Sequence, residues 1–159
     1  MLTVITHSPD ETWELARKLA PILTPGDCIS LSGDLGAGKT VFAKGLAEGL
    51  GIDAPVTSPT FTIIKEYEGK LPLFHFDVYR LASAEELEEL GADEYFYGDG
   101  VSVVEWGEKV EEILPDERLS IRILRLADED LRQIEVTPHG ERWQKQVDKW
   151  LDGVERVNS

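Results

Sequence analysis

The chain of 159 residues has one cysteine, Cys28, one methionine and one asparagine, Asn158. A single cysteine excludes a disulfide framework within the chain and fits a reducing, cytosolic setting. Cys28 sits in an apolar stretch and reads as a small core residue of a strand. No apolar run approaches the length of a membrane span. The start Met1-Leu2-Thr3-Val4-Ile5 lacks the basic segment and cleavage site of a signal peptide, so no membrane role is expected. Bases are scarce as well: 16 Lys and Arg stand against 31 Asp and Glu, a formal charge of −15. Such a surface repels phosphate backbones, which argues against direct nucleic-acid binding. The imbalance is steepest from Ser83 to Glu117, where Lys109 is the one base. That segment reads either as a solvated acidic face or as a docking surface for a basic partner protein. No Cys/His cluster has zinc spacing, and no nucleophile-elbow motif is present.

What is there alternates between strand and helix patterns, which predicts an α/β domain spanning residues 1–159. Leu2 to Thr6 reads as a strand. Ser8-Pro9-Asp10-Glu11 reads as a helix start with Ser8 as N-cap, Pro9 in the first turn and Glu11 closing a capping box. Cys28 to Ser32 is a buried strand, and a helix follows from about Gly38 to Leu50. Thr60 to Tyr67 and Leu71 to Val78 form a hairpin. Ser83 to Leu90 is an acidic helix with Ser83 and Glu86 at capping-box spacing. Val101 to Glu105 is a strand, followed by a short helix through Leu114. Leu119 to Leu126 and Leu131 to Thr137 form a second hairpin around Asp128-Glu129-Asp130. Glu141 to Leu151 is an amphipathic helix with Trp143, Val147, Trp150 and Leu151 on its packing face. Together these predict a three-layer domain with a mixed, mainly parallel central sheet, the hairpins adding antiparallel pairs, and the motif Gly33–Thr40, between the second strand and its helix, makes it a P-loop NTPase domain.

Gly33-Asp34-Leu35-Gly36-Ala37-Gly38-Lys39-Thr40 matches G-x-x-x-x-G-K-[ST] between an apolar strand and a helix. The glycines let successive N–H groups converge on one concavity, and the helix N-terminus adds its positive dipole end there. All eight residues are therefore candidate nucleotide-binding positions. Lys39 is expected to reach the β- and γ-phosphates, and Thr40 to offer its hydroxyl to Mg²⁺. The metal needs a carboxylate at the end of a neighbouring strand. Glu105 is the first candidate, and Asp77 is the second, as a water-mediated ligand or a group that positions the attacking water. Thr57-Ser58-Pro59-Thr60-Phe61 reads from its residues as a Pro turn, with a γ-phosphate-sensing role as the alternative. His75, between Phe74 and Phe76, faces away from those rings and reads as a structural histidine. Arg118, Arg122, Arg125 and Arg132 are expected on a solvated face of the second hairpin. No Asn-Lys-x-Asp segment exists to read guanine, which favours ATP.

The ordered set Gly33–Thr40, Thr57-Ser58-Pro59-Thr60-Phe61, His75-Phe76-Asp77-Val78-Tyr79-Arg80 and Val104-Glu105-Trp106 resembles the TsaE (YjeE) family. Glu85-Glu86-Leu87-Glu88-Glu89-Leu90-Gly91 and Glu94-Tyr95-Phe96 add to the resemblance, which spans roughly Ser8 to Leu126. It implies a small bacterial, cytoplasmic ATPase that assists formation of threonylcarbamoyladenosine (t6A) beside the tRNA anticodon. It further implies action on a TsaD–TsaB complex, with tRNA met only through that complex, and weak hydrolysis that the partner stimulates. Carried over, Lys39 contacts phosphates, Thr40 and Glu105 hold Mg²⁺, and Asp77 is either catalytic or a group behind the metal ligands. Trp106 packs near the nucleotide, and Ser58 and Thr60 belong to a switch-like segment. Val78 departs from the leucine usual in the family's Asp-x-Tyr-Arg motif, a conservative change. The residues alone also admit a P-loop small-molecule kinase, or a module whose docking is gated by ATP occupancy without hydrolysis.

Overall fold

The computed structural model describes residues 1–34, 36–59 and 63–157. Among the described residues the strands are β1 (Leu2–Thr6), β2 (Cys28–Gly33), β3 (Ile64–Tyr67), β4 (Leu73–Asp77), β5 (Val101–Glu105), β6 (Arg118–Arg125), β7 (Arg132–His139) and β8 (Arg156–Val157). They form one sheet in the order β3-β4-β5-β2-β6-β7-β1-β8. The parallel pairings are the central ones, β4 with β5, β5 with β2 and β2 with β6. Antiparallel pairs extend the sheet on both sides, β3 on β4 at one edge and β7, β1 and β8 at the other. The mixed sheet expected from the two hairpins is thus present, with the parallel strands at its centre.

The helices are α1 (Pro9–Leu19), α2 (Lys39–Gly49), α3 (Ala84–Glu89), α4 (Ala92–Phe96) and α5 (Glu141–Trp150). None is long and apolar enough to cross a membrane, among the described residues. One face of the sheet carries Ile29, Leu31, Leu73, Val101, Val103, Leu119 and Ile121, which pack with residues of α1, α2 and α5. The opposite face carries Cys28, Phe74, Phe76 and Val104, which pack with residues of α3 and α4 and with Val110 and Leu114. These are the three layers. Strand alternation explains the division, since each strand sends successive side chains to opposite faces.

Local signals place most of the elements. The Ser8 hydroxyl accepts from the Glu11 N–H at 3.1 Å. The Glu11 carboxylate reaches back to the His7 N–H at 2.6 Å, one residue before the cap. At α3 the expected capping box is not formed: Ser83 has the extended N-cap backbone, but its hydroxyl makes no cap hydrogen bond. The short helix expected after Glu105 is a 3₁₀ segment, Gly107–Ile113, broken at Val110, where φ is −131°. At the C-terminal end, Arg142 of α5 grips Asp27 with two bonds of 2.6 and 2.9 Å. Trp150 donates its indole N–H to the Leu15 carbonyl at 2.8 Å. These contacts tie α5 to the start of β2 and to α1.

Cys28 is wholly buried, and that burial pushes its thiol up to about 12. Only about one molecule in ten thousand then carries the nucleophilic thiolate at pH 8. Native protein is expected to resist a thiol reagent such as iodoacetamide at that pH, whereas protein in denaturant takes up one equivalent. Mass spectrometry of the two samples checks this, and rapid labelling of the native chain would show the strand to be open.

Candidate functional site

The parallel ladder brings the candidates together. Strand β2 runs directly into the glycine loop, and its parallel neighbour β5 ends beside it, its last residue Glu105 pairing with Leu31. Strand β4 ends on Asp77, paired with Glu105 across the next ladder. Two carboxylates therefore stand side by side at the carboxyl edge of the sheet, where open α/β folds bind their ligands.

Backbone geometry shapes the loop. Gly33 has φ +128°, and a Cβ there would lie 2.0 Å from the Ile123 carbonyl oxygen. Any side chain would push β2 away from β6. Gly38, with φ +118°, caps α2 in a left-handed conformation that glycine adopts without steric penalty. The first-turn N–H groups of α2 consequently point into the concavity of the loop.

Lys39 is 5% exposed. Its ammonium donates to the Gly33 and Asp34 carbonyls at 3.0 and 2.8 Å. It also lies 4.1 Å from the ring centroid of Trp106. Burial lowers its pKa from the ordinary lysine value, while the carboxylates of Glu105, Glu108, Asp34 and Asp77 oppose that shift. The Thr40 hydroxyl donates to Glu105 Oε1 at 3.2 Å. Glu105 is 3% exposed, and its second oxygen, Oε2, meets His75 Nε2 at 2.5 Å. Asp77 accepts from the Ser58 hydroxyl at 3.0 Å and from the Tyr79 N–H at 3.0 Å. Ser58 thereby ties the Thr57–Pro59 segment to the strand-end carboxylate. Trp106, immediately after β5, has φ +65°, a conformation unusual for a bulky residue. That turn places its ring beneath the Lys39 ammonium and 4.9 Å from the ring of Tyr79.

Gly33, Asp34, Gly36, Ala37, Gly38, Lys39, Thr40, Ser58, Asp77, Glu105 and Trp106 thus surround one locus. Leu35 and Thr60, the other two candidates, lie outside the described residues. The oxygen donors of Thr40 and Glu105 suit a hard divalent cation, which prefers oxygen ligands. Among the described residues no group of three or more His, Cys, Asp or Glu side chains forms a preassembled metal cluster.

Two features of the site escaped the motif. The first is the late hairpin. Arg125 and Arg132 face each other across β6 and β7; Arg125 is exposed, as expected, whereas Arg132 is half-buried against the loop. Arg132 donates from Nε to the Ala37 carbonyl at 2.8 Å. Arg125 Nη1 lies 3.9 Å from where a Cβ on Gly36 would stand. Position 125 is an odd number of residues from 122, so alternation sends the two side chains to opposite faces. Counting parity along the strand would have separated Arg125 from Arg118 and Arg122. The second is His75, whose link to Glu105 has no sequence signal beyond their shared position near strand ends.

The family model described as "Threonylcarbamoyl adenosine biosynthesis protein TsaE" matches residues 6–134. The chain belongs to the TsaE family. A TsaE of Bacillus subtilis (strain 168), called a tRNA threonylcarbamoyladenosine biosynthesis protein, is 55% identical over 140 residues, covering 87% of each chain. A TsaE of Treponema pallidum (strain Nichols) is 47% identical, covering 78% of this chain and 92% of its own. The crystal structure of YdiB from Bacillus subtilis superposes with a TM-score of 0.81 at 46% identity, over 96% of this chain and 97% of that one. The resemblance carried by four short motifs therefore extends over most of the TsaE chain, and the P-loop fold is shared.

Proposed function

We propose that this TsaE-family chain is a Mg²⁺-dependent ATPase that serves t6A formation on tRNA by acting on a TsaD–TsaB complex in the cytoplasm. The observation that carries the reading is the Thr40–Glu105 contact of 3.2 Å at the mouth of the glycine loop, beside the Lys39 ammonium. A hydroxyl, a carboxylate and a lysine placed this way are the parts a triphosphate–metal site needs.

Thr40 and Glu105 would hold the metal, which when bound neutralises charge on the phosphate oxygens. The loop N–H groups and the N-terminus of α2 bind and orient the phosphates. The ammonium of Lys39 has three hydrogens, now spent on two loop carbonyls and an aromatic face, that a phosphate can draw off. Asp77 keeps acceptor capacity beyond its bonds to Ser58 and Tyr79, and with it can orient a water or hold its proton. A cavity of about 170 Å³ lies against the outer side of the loop, lined by Pro9, Thr12, Ala37, Val41, Asp130 and Arg132. Its apolar floor and polar rim suit the nucleoside end of ATP. The lack of a guanine-reading segment favours adenine.

The charge distribution supports a protein partner. A wide groove of about 720 Å³, lined by Glu85, Glu88, Glu89 and Glu112, opens on the α3 side of the sheet. Basic residues of a partner complement it, whereas a tRNA backbone does not. The test is ATP turnover and co-purification with TsaD and TsaB, each in ATP and in ADP. Turnover is expected to be weak alone and raised by the complex. A chain that binds no ATP in Mg²⁺, with or without that complex, would sink the proposal.

A further inference from the structure

His75 lies inside β4, with 0% of its surface exposed. Its strand neighbours on the same face, Leu73 and Val103, are apolar, so packing alone asks for an aliphatic residue there. Among the described residues its Nδ1 has no hydrogen-bond partner. Leaving a buried polar atom unpaired is destabilising, because its hydration is lost and not replaced. In return its Nε2 meets Glu105 Oε2 at 2.5 Å. As a carboxylate, Glu105 can only accept, so the Nε2–H donates.

That contact has a geometric consequence. The last torsion of a glutamate is soft and roughly two-fold, so an untethered carboxylate rotates with little resistance. Here both oxygens are assigned: Oε2 is held by His75 and Oε1 faces Thr40. We infer that His75 is a positioning residue for divalent-metal binding, which fixes Glu105 so that one oxygen is presented beside the Thr40 hydroxyl. It sits behind the carboxylate, as the partners that orient metal-ligating groups do.

The inference rests on the metal–nucleotide reading of the site, and the experiment separates the two. Binding of a non-hydrolysable ATP analogue, adenylyl imidodiphosphate, is followed by calorimetry over controlled free Mg²⁺ and in EDTA. In His75→Leu the Mg²⁺ midpoint is expected to rise about 10–100-fold, with affinity in EDTA unchanged. His75→Gln, whose amide can reach the carboxylate, recovers part of the loss. Should the leucine variant not fold, His75→Asn against His75→Gln decides, because the shorter amide cannot span the gap. An unshifted midpoint, or an equal fall with and without Mg²⁺, overturns the positioning role. Analogue binding by the native chain that ignores Mg²⁺ would instead overturn the underlying reading.

Discussion

Lys39→Met will lower ATP turnover by about 10²–10³-fold, the usual loss when one preorganised donor is taken from developing charge. Tertiary structure is expected to survive, because among the described residues Lys39 makes no ion pair that other elements depend on. Its bonds go to two carbonyls of its own loop and its ammonium rests on Trp106. Charge there is maintained against burial, which lowers the pKa, while Glu105, Glu108, Asp34 and Asp77 oppose the shift. The sign of the stability effect follows. Between the lowered folded value and the ordinary lysine value, the unfolded chain binds more protons than the folded one. Stability at this position therefore rises with pH across that alkaline window, and Lys39→Met removes the slope. Steady-state hydrolysis with saturating partner complex, and urea melts at neutral and alkaline pH, read the two effects separately. Turnover within tenfold of the native rate would remove Lys39 from the chemistry.

Much of this site was written in the order of the residues. The glycine loop is local: its spacing, the strand before it and the helix after it are visible within twenty residues. Glu105 and Asp77 could be proposed because each follows an apolar run, and parallel strands put such ends along one edge. Their pairing was not legible, since it depends on β4 and β5 being neighbours, and strand order is a tertiary property. His75 shows the same limit more sharply. Alternation correctly turned it away from Phe74 and Phe76, but only the β4–β5 register brings it to Glu105. Arg132 is a third case. It lies 95 positions from Ala37, and only the antiparallel fold of β6 and β7 beside β2 lays it on the loop. Helix α4 and strand β8 are not legible in the sequence for a different reason: five and two residues are too short to show a period.

Asp77→Asn and Glu105→Gln, neighbours across one ladder, will fail in different ways. Glu105 is turned inward, toward Thr40 and His75, and both of its oxygens are committed. Losing its charge removes a hard anionic ligand, so the expected result is weaker Mg²⁺-dependent nucleotide binding together with lost turnover. Asp77 is turned toward the Thr57–Pro59 segment and the Tyr79 N–H, and among the described residues its hydrogen bonds go to Ser58 and Tyr79. Its amide counterpart can still accept from Ser58 and Tyr79, so the local structure stays. What it loses is basicity and charge, the properties that hold a proton or polarise a water. Turnover should then drop about 10²–10⁴-fold while the affinity for a Mg²⁺–ATP analogue changes by less than threefold on the order of RT. Calorimetry with the analogue and phosphate release from ATP, run on both variants with the partner complex present, give the two columns to compare. Equal losses of binding in both variants would make Asp77 a second metal ligand. Full turnover in Asp77→Asn would place the water-orienting group elsewhere, and the Ser58 contact would then be structural.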